Sequence, residues 1–437
     1  KYRAIYIDDF LKEKKLDFIK KNAGFKKLVH DINEVEDMEY GVPEELENIL
    51  REYQKFGFKW LKTLSNCGLG GILADDMGLG KTLQMIAFLL SEKIEKGQNT
   101  SIVIAPTSVI YNWEAEIDKF APDLKTLVVS GSKVERISML KDIQEYDVVI
   151  TSYPLIRKDI EEYEKYSFRT CILDEAQHIK NPNSISAKSV KRLKAKNYFA
   201  LTGTPMENSL LELWSIFDYI MPGYLMSHGK FVDKYEKPII TNKDEKALKD
   251  LNNHIRPFIL RRLKKDVLKE LPEKIEQKIL VDLTKEQKKV YLAYLKAIKG
   301  EIEEEMNTSG FAKSQIKILS GLTRLRQICC HPGMFIENYE FGSGKLDSLE
   351  EILYDALDGE HRILIFSQFT SMLNIIKERL KRDSIEYMYL DGSTDVKERG
   401  KLVEEFNGGK GQVFLISLKA GGTGLNLTGA DMVIHFD

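Results

Sequence analysis

The sequence predicts an α/β protein built on doubly wound parallel sheets, and three observations predict it. Short, continuously apolar runs recur, each ending in glycine, hydroxyl or acidic residues, as strands buried on both faces of a parallel sheet do. Stretches with helical apolar spacing separate them. The alternation runs once over residues 71–201 and again over 362–436, so two sheets are expected, each with its own row of loops.

The first run, Gly71-Ile72-Leu73-Ala74, opens into Asp75-Asp76-Met77-Gly78-Leu79-Gly80-Lys81-Thr82, and an amphipathic stretch over 83–94 follows. A strand that turns sharply into a helix there makes a phosphate-binding loop. Gly78 and Gly80 let backbone N–H groups approach a phosphate, and the helix N-terminus adds partial positive charge. Lys81 would reach the β- and γ-phosphates and the Thr82 hydroxyl would hold Mg²⁺. Asp75 departs from the general G-x-x-x-x-G-K-[ST] pattern, which has glycine there. A glycine-rich turn capping an ordinary helix is the plain alternative; the flanking strand and helix favour a nucleotide.

The bulk numbers set limits. A chain of 437 residues suggests two or three domains, and 43% hydrophobic with 30% charged residues is ordinary for a globular protein. No apolar run has the length needed to cross a bilayer. Cys67, Cys171, Cys329 and Cys330 form no C-x-x-C pair, so neither a zinc site nor a disulfide framework is indicated, and a reducing interior fits best. With a net charge of −2, nucleic-acid binding has to rest on a local basic surface. The chain opens at Lys1 without a Met and stops at Asp437 directly after an apolar run, so a piece of a longer protein is expected.

Residues 1–44 mix Tyr2, Ile5, Ile7, Phe10 and Leu11 with lysines and acids and carry no recognisable chemistry. Around Tyr53-Gln54 the apolar spacing predicts a helix, and the Gln54 amide can donate and accept at once, as an adenine edge requires. Ser101-Ile102-Val103-Ile104-Ala105 is a central strand, and Thr107, Ser108, Asn112 and Trp113 follow at its C-terminal end, where ligands of open α/β sheets bind. They suit a nucleic-acid backbone or a helix cap equally. Leu127-Val128-Val129 and Asp147-Val148-Val149-Ile150 continue the alternation, the latter closing on Thr151-Ser152-Tyr153.

Thr170-Cys171-Ile172-Leu173 delivers Asp174-Glu175-Ala176-Gln177. Two acids at the end of an apolar strand are the natural companion of a phosphate loop: Asp174 for Mg²⁺, Glu175 to orient and deprotonate the attacking water. Tyr198-Phe199-Ala200-Leu201 ends in Thr202-Gly203-Thr204-Pro205, whose hydroxyls could transmit the nucleotide state, with Asn208 as a candidate helix cap.

From 210 to 282 the pattern is helical and includes the densest basic cluster, Arg261, Arg262, Lys264, Lys265 and Lys269, which suits phosphates or a solvated helix face. A second helical block over 283–331 is broken at Met306-Asn307-Thr308-Ser309-Gly310. Strands then resume at 362–366, 387–390, 413–416 and 432–436. Polar ends follow the first three: Ser367-Gln368, Asp391-Gly392-Ser393, and Ser417 to Gly424 with Lys419 and Thr423. This second sheet has no phosphate loop of its own, which suggests one nucleotide shared by two lobes.

As an ordered set, these blocks resemble the Swi/Snf-type ATPases, the DNA-translocating branch of the DEAD/DEAH-like helicase superfamily. The carriers are Tyr53-Gln54, the loop 75–82, Ala105-Pro106, Thr151-Ser152-Tyr153, Asp174-Glu175-Ala176-Gln177, 201–205 with Asn208, 258–267, Phe366-Ser367-Gln368-Phe369, Asp391-Gly392-Ser393 and 417–427. Asp75 is what this family has at that position. The resemblance implies two RecA-like lobes using ATP and Mg²⁺, helical insertions, and translocation along double-stranded DNA without strand separation. The rivals are a strand-separating RNA or DNA helicase and an ATP-gated clamp that holds DNA without moving.

The implied divisions are an extension over 1–44, a first lobe over 45–225, insertions over 226–282 and 283–340, and an incomplete second lobe over 341–437. Residues 1–44 look like the end of the associated region of bacterial members. By match, Gln54 and residues 75–82 bind ATP. Thr82 and Asp174 hold the metal, and Lys81, Asp174 and Glu175 act in catalysis. Gln177, Thr202, Gly203 and Thr204 couple the site, and Thr107, Thr151, Ser152, Ser367, Gln368, Lys419 and Thr423 line the DNA path. The implied partners are duplex DNA and a DNA-bound protein complex as remodelling target, with a monomeric core and no membrane. The implied location is the cytoplasm or nucleoid of a bacterium, or the nucleus of a eukaryote. In this family the arginine finger follows the strand that ends here at Asp437, so the polypeptide as given is expected to bind ATP and hydrolyse it poorly.

Overall fold

The computed structural model describes residues 7–8, 11, 20–35, 38–203, 209–269, 275–309, 311–421 and 425–437, with the side chains of 306–309, 311–314 and 396–397 left aside. The chain divides into two compact units, Lys1–Glu273 and Lys274–Asp437.

The first unit holds a seven-stranded sheet. Its strands are β1 (Gly71–Leu73), β2 (Ser101–Ala105), β3 (Thr126–Val128), β4 (Val148–Ser152), β5 (Ser167–Leu173), β6 (Lys194–Leu201) and β7 (Ile259–Leu260). They lie in the order β3-β4-β2-β5-β6-β1-β7, and every pairing is parallel. Parallel pairing puts all seven C-terminal ends on one edge, so the loops after β1, β5 and β6 become neighbours although about a hundred residues of chain separate the first from the others. β7 falls inside the stretch whose pattern is otherwise helical. It has two residues, too few for a period of two to show against a period of 3.6.

The apolar runs form the core. Ile72, Leu73, the residues 102–105 and 171–173, and Phe199 to Leu201 have no exposed surface. Two helices pack into the same cluster: α1 (Glu52–Asn66) through Phe58, Trp60, Leu61 and Leu64, and α2 (Lys81–Lys96) through residues 85–90. A third, α3 (Ile110–Phe120), adds Trp113 and Ile117.

Where α1 meets α2 the sequence buries charge. Lys62 has no exposed side chain and donates to Glu92 and Glu95, each at 2.8 Å, while Lys96 and Arg169 reach Glu92 at 2.7 Å. Burial opposes the Glu92 charge, but three cations outweigh it and its carboxyl falls to about 2. Lys96 goes the other way: burial and the neighbouring cations outweigh its bond to Glu92. A depressed carboxyl stabilises the fold above its unfolded value near 4.5 and loses that contribution as pH falls through 2. Urea unfolding should show up to about 3 kcal/mol of stability lost over that range, and much less of it in Glu92→Gln. Parallel pH profiles for the two proteins would contradict this.

The second unit begins with a helical hairpin, α4 (Lys285–Ser309) and α5 (Phe311–Cys330). The expected break at 306–310 is smaller than the sequence suggests, because α4 continues to Ser309; Gly310 itself lies outside the described residues. A four-stranded sheet follows: β8 (Ile363–Ser367), β9 (Tyr387–Leu390), β10 (Val413–Ser417) and β11 (Met432–His435), ordered β11-β8-β10-β9 and all parallel. Alternate residues fall into two separate clusters, Ile363, Ile365, Val413 and Leu415 in one, Leu364, Phe414 and Ile416 in the other. That division is the mark of a sheet covered on both faces. The expected α/β architecture with two parallel sheets is therefore what the chain adopts.

Candidate nucleotide site

The loop after β1 turns where glycine permits it. Gly78 has φ 83° and Gly80 φ 75°, both left-handed, and Lys81 opens α2 directly behind. Leu79 is buried under the turn while Met77 is 60% exposed at its crest. The Lys81 ammonium donates to the Asp75 carbonyl at 2.7 Å and the Asp76 carbonyl at 3.4 Å. Burial lowers its pKa, against the pull of Glu175, Asp174, Asp75 and Asp76. Thr82 is half-buried in the first turn of α2.

Two residues brace this loop from behind. Gln54 accepts from Arg51 N at 2.9 Å and donates to Leu79 O at 3.1 Å. One N–H and one lone pair of its amide are thus spent on protein, so here it supports the loop, and the adenine contact expected of it would use the second N–H and the second lone pair. Gln84 donates to the Asp75 carboxylate at 3.1 Å and to Gly80 O at 3.2 Å.

The acids arrive from β5. Asp174 Oδ2 accepts from the Trp113 indole at 2.8 Å and Oδ1 from Glu175 N at 2.9 Å, while the Tyr153 hydroxyl donates to the Asp174 carbonyl at 2.7 Å. Burial pushes the Asp174 carboxyl up to about 6, aided by Glu175, against the Trp113 bond and Lys81. Glu116 on α3 rises to about 7, through burial and then the Asp174 charge. Each Asp174 oxygen keeps acceptor capacity. Among the described residues no three His, Cys, Asp or Glu gather as a self-contained metal site. A single carboxylate and the Thr82 hydroxyl are hard oxygen donors, the kind Mg²⁺ takes when phosphate and water fill the rest of its shell.

Glu175 holds φ 48°, a left-handed conformation uncommon for a residue with a Cβ. Gln177 donates to its carboxylate at 2.8 Å, and the Thr202 hydroxyl at the end of β6 donates to Gln177 Oε1, the side-chain amide oxygen, at 3.1 Å. Gln177 and Thr202, two of the four residues expected to couple the site, thus form a continuous chain from β6 to the catalytic acid. Gly203 lies against Met77, with a Cβ there 3.6 Å from its Cγ. Thr204 and Asn208 lie outside the described residues.

The expected DNA contacts divide. Thr107, Gln368 and Lys419 are exposed. Thr151 and Ser152 are not: both have no accessible surface, and the Thr151 hydroxyl donates to Val129 O at 3.3 Å. Ser367 is equally enclosed and donates to Asp437 Oδ2 at 2.5 Å. All three hydroxyls are enclosed at the packed strand ends, Thr151 and Ser367 with protein partners and Ser152 with none among the described residues, a correction to the expectation that they face DNA. Thr423 lies outside the described residues.

Sequence reasoning missed Arg262, which belongs to neither a solvated helix face nor an exposed basic patch. Its guanidinium pairs with the fully buried Asp75. The signal was present: a carboxylate where the general loop has glycine demands a cation. The sequence offers five nearby candidates and does not say which is buried. Trp113 was noted only for its position after β2.

Comparison with known proteins agrees with this geometry. Residues 53–334 match the SNF2-related domain, 344–437 the helicase conserved C-terminal domain, and 1–43 the bacterial SNF2 helicase associated domain. YwqA of Bacillus subtilis, named as an ATP-dependent helicase/translocase, is 41% identical over 94% of this chain and 45% of its own length. The yeast ISWI chromatin-remodeling complex ATPase ISW1 is 34% identical over 89% of this chain and 36% of its own. The chain therefore spans less than half the length of these relatives. The Sulfolobus solfataricus SWI2/SNF2 ATPase core in complex with dsDNA superimposes with a TM-score of 0.51 at 38% identity, covering 89% of this chain and 82% of that one. A phosphate loop on β1, an acid pair on β5 and a family match over most of the chain all agree: this chain belongs to the SNF2 family of ATP-dependent helicases.

Proposed function

We propose that the chain is the motor of a double-stranded DNA translocase that hydrolyses ATP at the loop of its first unit. The observation that carries this is the placing of Lys81, Asp174, Glu175, Gln177 and Thr202 at three adjacent strand ends, the last four joined by hydrogen bonds. Lys81 would leave its loop carbonyls to take up phosphate charge. Glu175 would orient and deprotonate the attacking water, and the Gln177–Thr202 chain would carry the state of the acid to the end of β6. Bound Mg²⁺, held by Thr82 and Asp174, would neutralise charge developing on the phosphates.

The divisions at 45–225, 226–282, 283–340 and 341–437 belong to this proposal as lobes and insertions. So does a DNA path including Thr107, Gln368 and Lys419. Contacts to phosphate and sugar carry no base information, so the motor should be largely sequence-blind. The dsDNA-bound Sulfolobus core and the named remodelling relatives favour duplex DNA over single strands, with a DNA-bound protein complex as the target.

Hydrolysis by the full-length parent should rise about tenfold or more on adding duplex DNA, little with single strands, and the stimulation should fall steeply between about 50 and 200 mM salt. Equal rates with and without duplex would contradict the reading; stimulation by RNA or single strands alone would favour a strand-separating helicase.

A further inference from the structure

Asp75 is completed by a segment that lies 187 residues further along the chain. β7 extends the sheet beyond β1, and from there residues 260–264 run beside the loop. Ala74 N donates to Leu260 O at 2.7 Å, Asp76 N to Arg262 O at 3.0 Å, and Lys264 N to the Asp76 carboxylate at 3.0 Å. The Arg262 side chain is 12% exposed. Its Nε donates to Asp75 Oδ1 at 2.9 Å and its Nη2 to Gln84 Oε1 at 2.6 Å, with further bonds to Asp75 Oδ2 and the Tyr53 carbonyl. Gly57 on α1 leaves the room for this, since a Cβ there would stand 1.9 Å from Gln84 Oε1 and 2.9 Å from Arg262 Nη2. At the crest of the loop, a Cβ on Gly78 would lie 3.2 Å from the Lys264 ammonium.

We propose that residues 259–264 are a working part of the nucleotide site. Lys264 supplies a second ammonium to the triphosphate beside Lys81, and Arg262 is a positioning residue that holds the loop open to phosphate by neutralising Asp75. The inference rests on reading the loop as the ATP site. The physical case is electrostatic. A loop that receives a polyanion carries two carboxylates, Asp75 and Asp76, and a buried carboxylate there is tolerable only when paired. The bidentate Arg262 bridge removes the first charge and fixes its direction. The second is capped by the backbone of the residue whose ammonium stands over Gly78.

The test uses the full-length protein, a fluorescent ATP analogue and steady-state hydrolysis. Lys264→Gln, an exposed change, should raise KM for ATP about tenfold with kcat within about twofold, and Lys264→Arg should restore it. Arg262→Gln should weaken ATP binding at least tenfold, about the value of a charged hydrogen bond. Adding Asp75→Gly to Arg262→Gln, which returns the loop to the general pattern, should recover affinity to within about threefold. Parental KM in Lys264→Gln overturns the phosphate role. A double variant no tighter than Arg262→Gln overturns the positioning role. A parent that binds no ATP overturns the reading of the loop itself and is distinguished by that control.

Discussion

Replacing Glu175 with glutamine is expected to leave ATP binding within about threefold of the parent while lowering hydrolysis on the order of 10²–10⁴-fold, the range of a general base. The amide keeps size and hydrogen-bonding ability and loses the basic oxygen. The structure gives a reason to expect a clean separation. Glu175 is not in the phosphate loop; it sits two residues beyond β5 in a left-handed conformation, held by Gln177. Gln177 can rotate its amide to satisfy a glutamine at 175, so the backbone has no cause to move. Unchanged turnover by a full-length Glu175→Gln protein would remove the residue from the reaction.

Lys81→Ala should have the opposite signature: nucleotide affinity lost by about a hundredfold or more, with turnover lost as a consequence. Lys81 is half-buried between the loop carbonyls and the acids, and its removal leaves Asp174 and Glu175 facing a polyanion without the nearest cation on their side. The fold should survive, since among the described residues the lysine donates only to carbonyls of its own loop and is not part of the apolar core. A Lys81→Ala protein that still binds the analogue at parental affinity would assign the phosphate to another group.

How much of this was legible beforehand follows from what each feature depends on. The strands could be read because a strand buried on both faces must be apolar throughout, and 102–105, 171–173 and 413–416 are. The loop and the acids could be read because their chemistry restricts residue type at fixed spacing. The association of Gln177 with Thr202 was legible as a grouping, and its extension to Glu175 needed β6 to lie next to β5. Burial of Thr151, Ser152 and Ser367 was not legible. A hydroxyl at a strand end looks the same in sequence whether helices cover it or solvent meets it. Arg262 was hidden for a related reason. Five cations cluster within nine residues, and only the two-residue strand β7 decides which one is delivered to Asp75. That pairing couples positions almost two hundred residues apart, beyond the reach of any local pattern.

The same dependence on tertiary placement changes the view of Gln54. An amide able to donate and accept was read as an adenine sensor, and in the folded chain it joins α1 to the phosphate loop. A contact with the base would use the remaining N–H and lone pair of the amide that holds Leu79, which would tie base recognition to the shape of the loop.

The central claim, that hydrolysis at this loop drives movement along a duplex, is tested most directly by triplex displacement. A third strand is bound at one end of a duplex, and the full-length protein is given ATP. The account predicts ATP-dependent release of the third strand while the duplex strands stay paired, and no release by Glu175→Gln. Brisk hydrolysis with the third strand left in place, or separation of the duplex itself, would contradict it.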